Sequence, residues 1–350
     1  MFASVTHILP NTTIRRERLL QLPGKVMVRK GQKVNATDTV AEANLAPEHL
    51  LLDVARGLGM RTGQTDDHIK VKAGDQVSAG DVVAGPVGLT RRVLRSTHNG
   101  RVILAGHGQI LLVVESRPFA LKAGLPGEVM ELIPDRGAII ETNGALIQAV
   151  WGNGSIDAGL LSMLASQPDH LLTSDQLDVS LRGAVVAAGH CAAEEVLTTA
   201  AELPVRGLIL SSLEASLATF AAGLSIPLVL TEGFGRRPVN SLAFKLLSDN
   251  ARQEVALNAE PWDVYAGTRP EIIIPLPGNG ETTLPDENGF LSPGKRVRIV
   301  RAPHAGKIGN LVSLSRQEVF HGGVRAAAAE VQLEDGTSAM VLQANMELLE

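Results

Sequence analysis

The sequence predicts a multidomain chain of mixed α+β and α/β class: a β module first, then a central parallel-sheet α/β domain, then a small C-terminal β module. Three observations carry this. A glycine-and-valine pattern occurs twice in the first third at one fixed offset. From about residue 182, short apolar runs alternate with amphipathic segments. Residues 292–350 return to alternating apolar positions broken by glycine. The expected boundaries are 1–150, 151–275, a linker over 276–291, and 292–350.

Composition bounds the function classes. A chain of 350 residues fits two or three domains. Aromatics are only 3%, so a base-stacking surface for single strands is not expected. A net charge of −5 excludes a bulk polyanion binder. Cys191 is the one cysteine, which rules out an intrachain disulfide and a cysteine-rich metal site. No run of about 18 apolar residues occurs, so no membrane span is expected. The N-terminal stretch has no apolar segment of signal-peptide type, and a cytoplasmic location is the expectation. No cofactor is expected.

The first module rests on the repeat. Residues 25–41 (KVMVRKGQKVNATDTVA) superpose on 68–84 (HIKVKAGDQVSAGDVVA) without a gap. Val26 falls on Ile69, Gly31 on Gly74, Val34 on Val77, Asp38 on Asp81 and Ala41 on Ala84. Alternate apolar residues give a half-buried strand. The glycine relieves a turn of positive φ. The aspartate can accept a backbone N–H in the next turn.

This pattern resembles the β-hammerhead of biotinyl/lipoyl-like domains, the barrel-sandwich hybrids, which pair two such units. The first copy departs from it at Thr37, where the second copy has Gly80. Carriers of that fold present a lysine on a hairpin tip. Residues 34–69 and 73–121 contain no lysine, so the resemblance implies a docking module rather than a carrier. Between the copies, residues 47–57 predict a short helix, with Pro47 at its start and Gly57 past its end. His49 and His68 have no partner at ligand spacing, and no metal site is expected. Asn99-Gly100 signals a hairpin.

Residues 138–150 read as two strands joined at Asn143-Gly144. Trp151-Gly152-Asn153-Gly154 then precedes a helical periodicity over 156–165. Two glycines before a helix are a weak phosphate signal.

The α/β expectation rests on 182–274. Strands are expected at 182–188, 205–210, 226–230, 254–259 and 271–274, and helices at 192–203, 213–223 and 240–249. Such alternation implies parallel βαβ units, with all strand-to-helix loops on one edge. Ligands bind at that edge. Its candidate ligand residues are His190, Cys191, Ser211, Ser212, Thr231, Glu232 and Gly233. Cys191 could serve as a nucleophile with His190 or Glu232 as base. Alternatively, the loops bind a small anion or a partner's acidic tail. The run Gly-His-Cys-Ala-Ala is similar to the phosphohistidine swivel signature, but lacks the Thr-Ser before the histidine.

In the tail, Gly294, Val297, Ile299, Gly306, Lys307, Gly309 and Val312 fall at spacings that resemble the KOW motif of the NusG type. The resemblance implies an SH3-like barrel over 292–350 that contacts RNA, the ribosome or transcription machinery. Residues 292–316 hold six basic residues and no acidic one: Lys295, Arg296, Arg298, Arg301, Lys307 and Arg316. On one face these could meet phosphates or a protein partner. The expected function is a noncatalytic adaptor or scaffold. An enzyme or small-ligand sensor at the three-loop edge is one alternative, and an RNA-binding transcription or translation factor is another.

Overall fold

The computed structural model describes residues 2–44, 48–89, 91–114, 118–263, 268–277, 289–320 and 322–350. Most of the expected linker, 276–291, lies outside them. The described residues are mostly β, with 48% strand against 14% helix, in several mixed sheets and with no closed barrel among them. This corrects the expected fold class on each count. Among the described residues no helix is long and apolar enough to cross a membrane. The chain divides into two compact units, which cut across the expected segments. One comprises Met1–Leu19, Met27–Val40 and Lys122–Glu350, and the other Leu20–Val26 and Ala41–Leu121.

A mixed sheet of 13 strands organises the first unit. Ala184–Ala187 pairs in parallel with Gly207–Leu213, which pairs in parallel with Leu228–Phe234. On the other flank Ile156–Met163 runs antiparallel to Glu254–Asn258, and that strand antiparallel to Glu271–Pro275. The parallel strands are therefore a patch in a larger mixed sheet, not the core of a separate parallel-sheet domain. Alternation divides the core between the two faces. Val185, Ile209 and Val229 pack with Ala243 and Leu247 of the helix Ser241–Asp249. Val186, Leu208 and Leu228 pack with Val196 and Leu197 of the helix Glu194–Glu202.

Three local expectations fail for one shared reason, close backbone approach. Residues 138–150 form one continuous strand, Gly137–Gln148, with Gly144 in its interior. A Cβ on Gly144 would lie 2.1 Å from the Ile274 carbonyl oxygen, so this glycine admits a neighbouring strand rather than a turn. Gly100 likewise begins the strand Gly100–Gly106, where a Cβ would meet the Val113 oxygen at 2.4 Å. Residues 156–163 form a strand rather than a helix, and Gly159 sits against the Gly183 oxygen. With no helix after Gly154, the phosphate reading there loses its basis. Pro47 lies outside the described residues, and residues 48–57 differ from expectation. His49–Asp53 is a strand, and the helix is only Val54–Leu58, capped by Asp53.

The repeat is real at the level of hydrogen bonds. Gly31 N donates to Val129 O at 2.8 Å, and Gly74 N to Val102 O at 2.8 Å. Asp38 Oδ2 accepts from Asn35 N, and Asp81 Oδ2 from Ser78 N, both at 2.8 Å. Val34 sits opposite Gly127, and Val77 opposite Gly100. Each copy thus grips its own later strand. Among the described residues, no strand of one copy pairs with a strand of the other.

The tail forms an open sheet of six strands rather than a closed barrel. Its order is Val5–Thr6, Met346–Leu349, Arg296–Ile299, Ile308–Val319, Arg325–Leu333, Ser338–Leu342. Val5–Thr6 comes from the other end of the chain and pairs in parallel with Met346–Leu349.

Candidate functional site

The three predicted segments do meet, but as strands rather than loops: His190–Cys191 is a short strand, Ser211 and Ser212 lie in Gly207–Leu213, and Thr231, Glu232 and Gly233 lie in Leu228–Phe234. His190 lies opposite Ser212, and Ser212 opposite Gly233, in one cross-strand row. Their side chains are largely spent on one another. Ser212 Oγ donates to Arg237 O at 2.8 Å and accepts from Arg237 N at 3.0 Å. His190 Nδ1 lies 3.0 Å from the same hydroxyl. With the hydroxyl proton on the Arg237 carbonyl, Nδ1 is the donor, and Ser212 is saturated. Ser211 is buried beside it, its Oγ 3.4 Å from Ser212 Oγ. Burial lowers the His190 pKa, opposed by nearby Glu214.

Cys191 is fully buried. Burial pushes its thiol up, and Sγ–H donates a weak bond to Ala193 O at 3.5 Å. A raised, enclosed thiol is the reverse of what thiolate chemistry needs.

Glu232 and Arg298, predicted for different sites, form one ion pair at 2.8 Å. Their side chains are 2% and 5% exposed. Arg298 also donates through Nε to Glu347 and through Nη1 to Thr231 O. Asn240 gives Glu232 Oε1 two more bonds, from N at 3.1 Å and from Nδ2 at 2.6 Å. Glu347 Oε2 accepts from Thr6 Oγ1, which in turn accepts from Arg269 Nη2. Burial pushes the Glu232 carboxyl above its ordinary range, with Arg298 and Asn240 pulling it back. The cluster fastens the strand Leu228–Phe234 to the tail sheet. Arg298 therefore contributes nothing to a basic surface.

The other tail cations divide in two. Lys295 pairs with Glu350, Arg296 with Glu334, and Lys307 with Asp335 at 2.8 Å. Arg301 and Arg316 are exposed. The six therefore do not form one open basic face.

A cleft of about 480 Å³ opens where residues 236–241 meet Lys307, Glu334 and Asp335. Glu334 is occupied by Arg296 and by Ser241 Oγ at 2.9 Å, and Asp335 by Lys307. The remaining charge is positive. Arg237 gives one N–H to Glu232 O at 3.2 Å. Arg236 is exposed, with no hydrogen bond or ion pair among the described residues. The buried His190–Ser212 pair holds the Arg237 backbone in place beneath the cleft. Sequence reasoning missed both arginines, although their adjacency just past the Gly233–Gly235 bend was a visible signal. It also missed Glu347, Thr6 and Arg269, whose roles depend on pairings across nearly the whole chain. A second cleft of about 480 Å³ is flanked by Arg182 and Arg252. No protein-family model matches the chain, and no curated protein matches it.

Proposed function

We propose that this chain is a noncatalytic binding protein that holds an acidic group of a partner protein in the cleft beside Arg236 and Arg237. One observation supports it above the rest. The side chains that could react, His190, Cys191, Ser212 and Glu232, are buried and committed to internal bonds. The cations of the 236–237 bend line the opening instead. Two adjacent guanidinium groups suit carboxylates or phosphates, which they bind through paired N–H donors. An RNA contact through 292–316 has less support, because only Arg301 and Arg316 of its six cations stand outside the ion pairs described above.

The test uses the full chain and a fluorescent deca-glutamate peptide, with inorganic phosphate as competitor. Binding should weaken at least about tenfold in R236E/R237E, the scale of losing one charge-assisted contact. The control R182E/R252E, at the second cleft, should bind as the parent does. Equal loss in both variants, or none in either, overturns the reading. So does a Cys191 that reacts with a thiol reagent as fast in the folded chain as in urea.

A further inference from the structure

The strand His49–Asp53 ends its sheet, paired on one side with Gln109–Val114 and, among the described residues, with nothing on the other. Its backbone phase is fixed by two bonds, Val114 N to Glu48 O at 2.8 Å and Val54 N to Gly108 O at 2.9 Å. Antiparallel bonding alternates, so residues 48, 50, 52 and 54 turn their backbone groups inward. His49, Leu51 and Asp53 turn theirs outward from the sheet edge. These same three side chains share one face, and all three are exposed, Leu51 by 55%.

Natural sheets usually blunt such an edge with lysine, proline or a bulge. This one instead carries a sequence that complements itself. In His-Leu-Leu-Leu-Asp, an antiparallel partner of the same sequence, centred on Leu51, sets Leu51 against Leu51. It sets each His49 against the other Asp53. The outward residues then face one another as hydrogen-bonded pairs, and the two Leu51 residues exchange both N–H···O bonds. A His–Asp pair able to hydrogen-bond and an apolar pair across the strands both favour that register. The apolar row is already half built. Leu51 lies opposite Leu111, and Leu111 opposite Leu104, which is 52% exposed. Joining two copies makes it continuous across both sheets.

We infer that a second copy of this chain docks on the edge strand His49–Asp53, giving a two-fold symmetric dimer through a continuous sheet. A closed, isologous contact of this kind caps both edges at once.

The experiment measures the mass of the full chain by light scattering over a concentration series, with the parent, L51K and L104K compared. The parent should show a dimer. L51K should be monomeric, because like charges meet at the two-fold axis, while L104K, two strands away, should remain dimeric. Circular dichroism confirms that the exposed substitutions leave the fold intact. L51C gives an independent reading. Hydrogen-bonded antiparallel partners lie about 5.5 Å apart at Cα, within disulfide range. Mild oxidation should therefore link L51C into a covalent dimer faster than L104C, with Cys191 buried and silent. A monomer at every concentration, a dimer unaffected by L51K, or equal crosslinking of L51C and L104C overturns the inference.

Discussion

Arg298 and Lys307 come from one basic stretch of sequence, yet the fold gives them opposite situations. Arg298 is enclosed between Glu232 and Glu347, its side chain 5% exposed. Lys307 meets Asp335 at the surface, with the two side chains 47% and 48% exposed. The Arg298–Glu232 and Lys307–Asp335 contacts are both 2.8 Å, so distance alone does not rank them. Solvent does. Water and salt screen the surface pair and satisfy either partner if the other leaves. The buried pair has no such reserve, and without the guanidinium both carboxyl groups would be enclosed with no counterion.

The strongest way to break that contrast is to remove Arg298. R298M leaves Glu232 and Glu347 buried without their cation, and unfolding in urea should show a loss of about 3–5 kcal/mol. The triple change R298M/E232L/E347M sharpens the point. It removes the charges together and should recover most of that loss. A triple variant no more stable than R298M would mean that packing, not charge, dominates the site.

Acid titration separates two ion pairs that look alike. Arg18 binds Glu260 through bonds of 2.5 and 2.7 Å. Burial alone would raise the Glu260 pKa, but the Arg18 bonds and charge outweigh it and hold the carboxyl low. Its contribution is therefore present above the unfolded glutamate range, near about 4.3, and is lost as pH falls through the lower folded value. Glu232 runs the other way. Burial raises its folded value, so its contribution is full below the unfolded range and is lost as pH rises through the folded value. Relative to the parent, E260Q should lose stability as pH rises from acid to neutral, while E232Q should gain. Denaturation midpoints measured across that range read both slopes, and slopes of the same sign would remove the distinction.

Much of the local structure was legible, because it depends on neighbours in sequence. The apolar run at 184–187, the cap Asn240 before its helix and the turn aspartates Asp38 and Asp81 all act within a few residues. What failed depends on distance. Asn143-Gly144 has the composition of a turn, but the Ile274 backbone more than a hundred residues on decides its role. The strand Ile156–Met163 has helix-like apolar spacing and is held extended by Glu254–Asn258. The candidate site divides in the same way. That the three segments would lie side by side was legible because parallel neighbours align equivalent positions, but residues expected as loops fold as strands. That Glu232 would spend its charge on Arg298, and Ser212 its hydroxyl on Arg237, depends on pairings that no local pattern encodes.

The smallest expected effect is at Lys307, and it tests the contrast from the other side. Hydrogen bonds from Lys307 and Thr337 hold the Asp335 carboxyl well below the usual carboxylate range, which taken alone suggests a strong contact. Exposure argues otherwise. Asp335 keeps Thr337 N at 3.0 Å and the Thr337 hydroxyl when the lysine is gone, and water takes the remaining position. K307A should therefore leave the urea midpoint unchanged within error, at low salt and high salt alike. A drop comparable to that of R298M would show that the surface pair carries weight in spite of solvent, and that enclosure is not what sets the two cations apart.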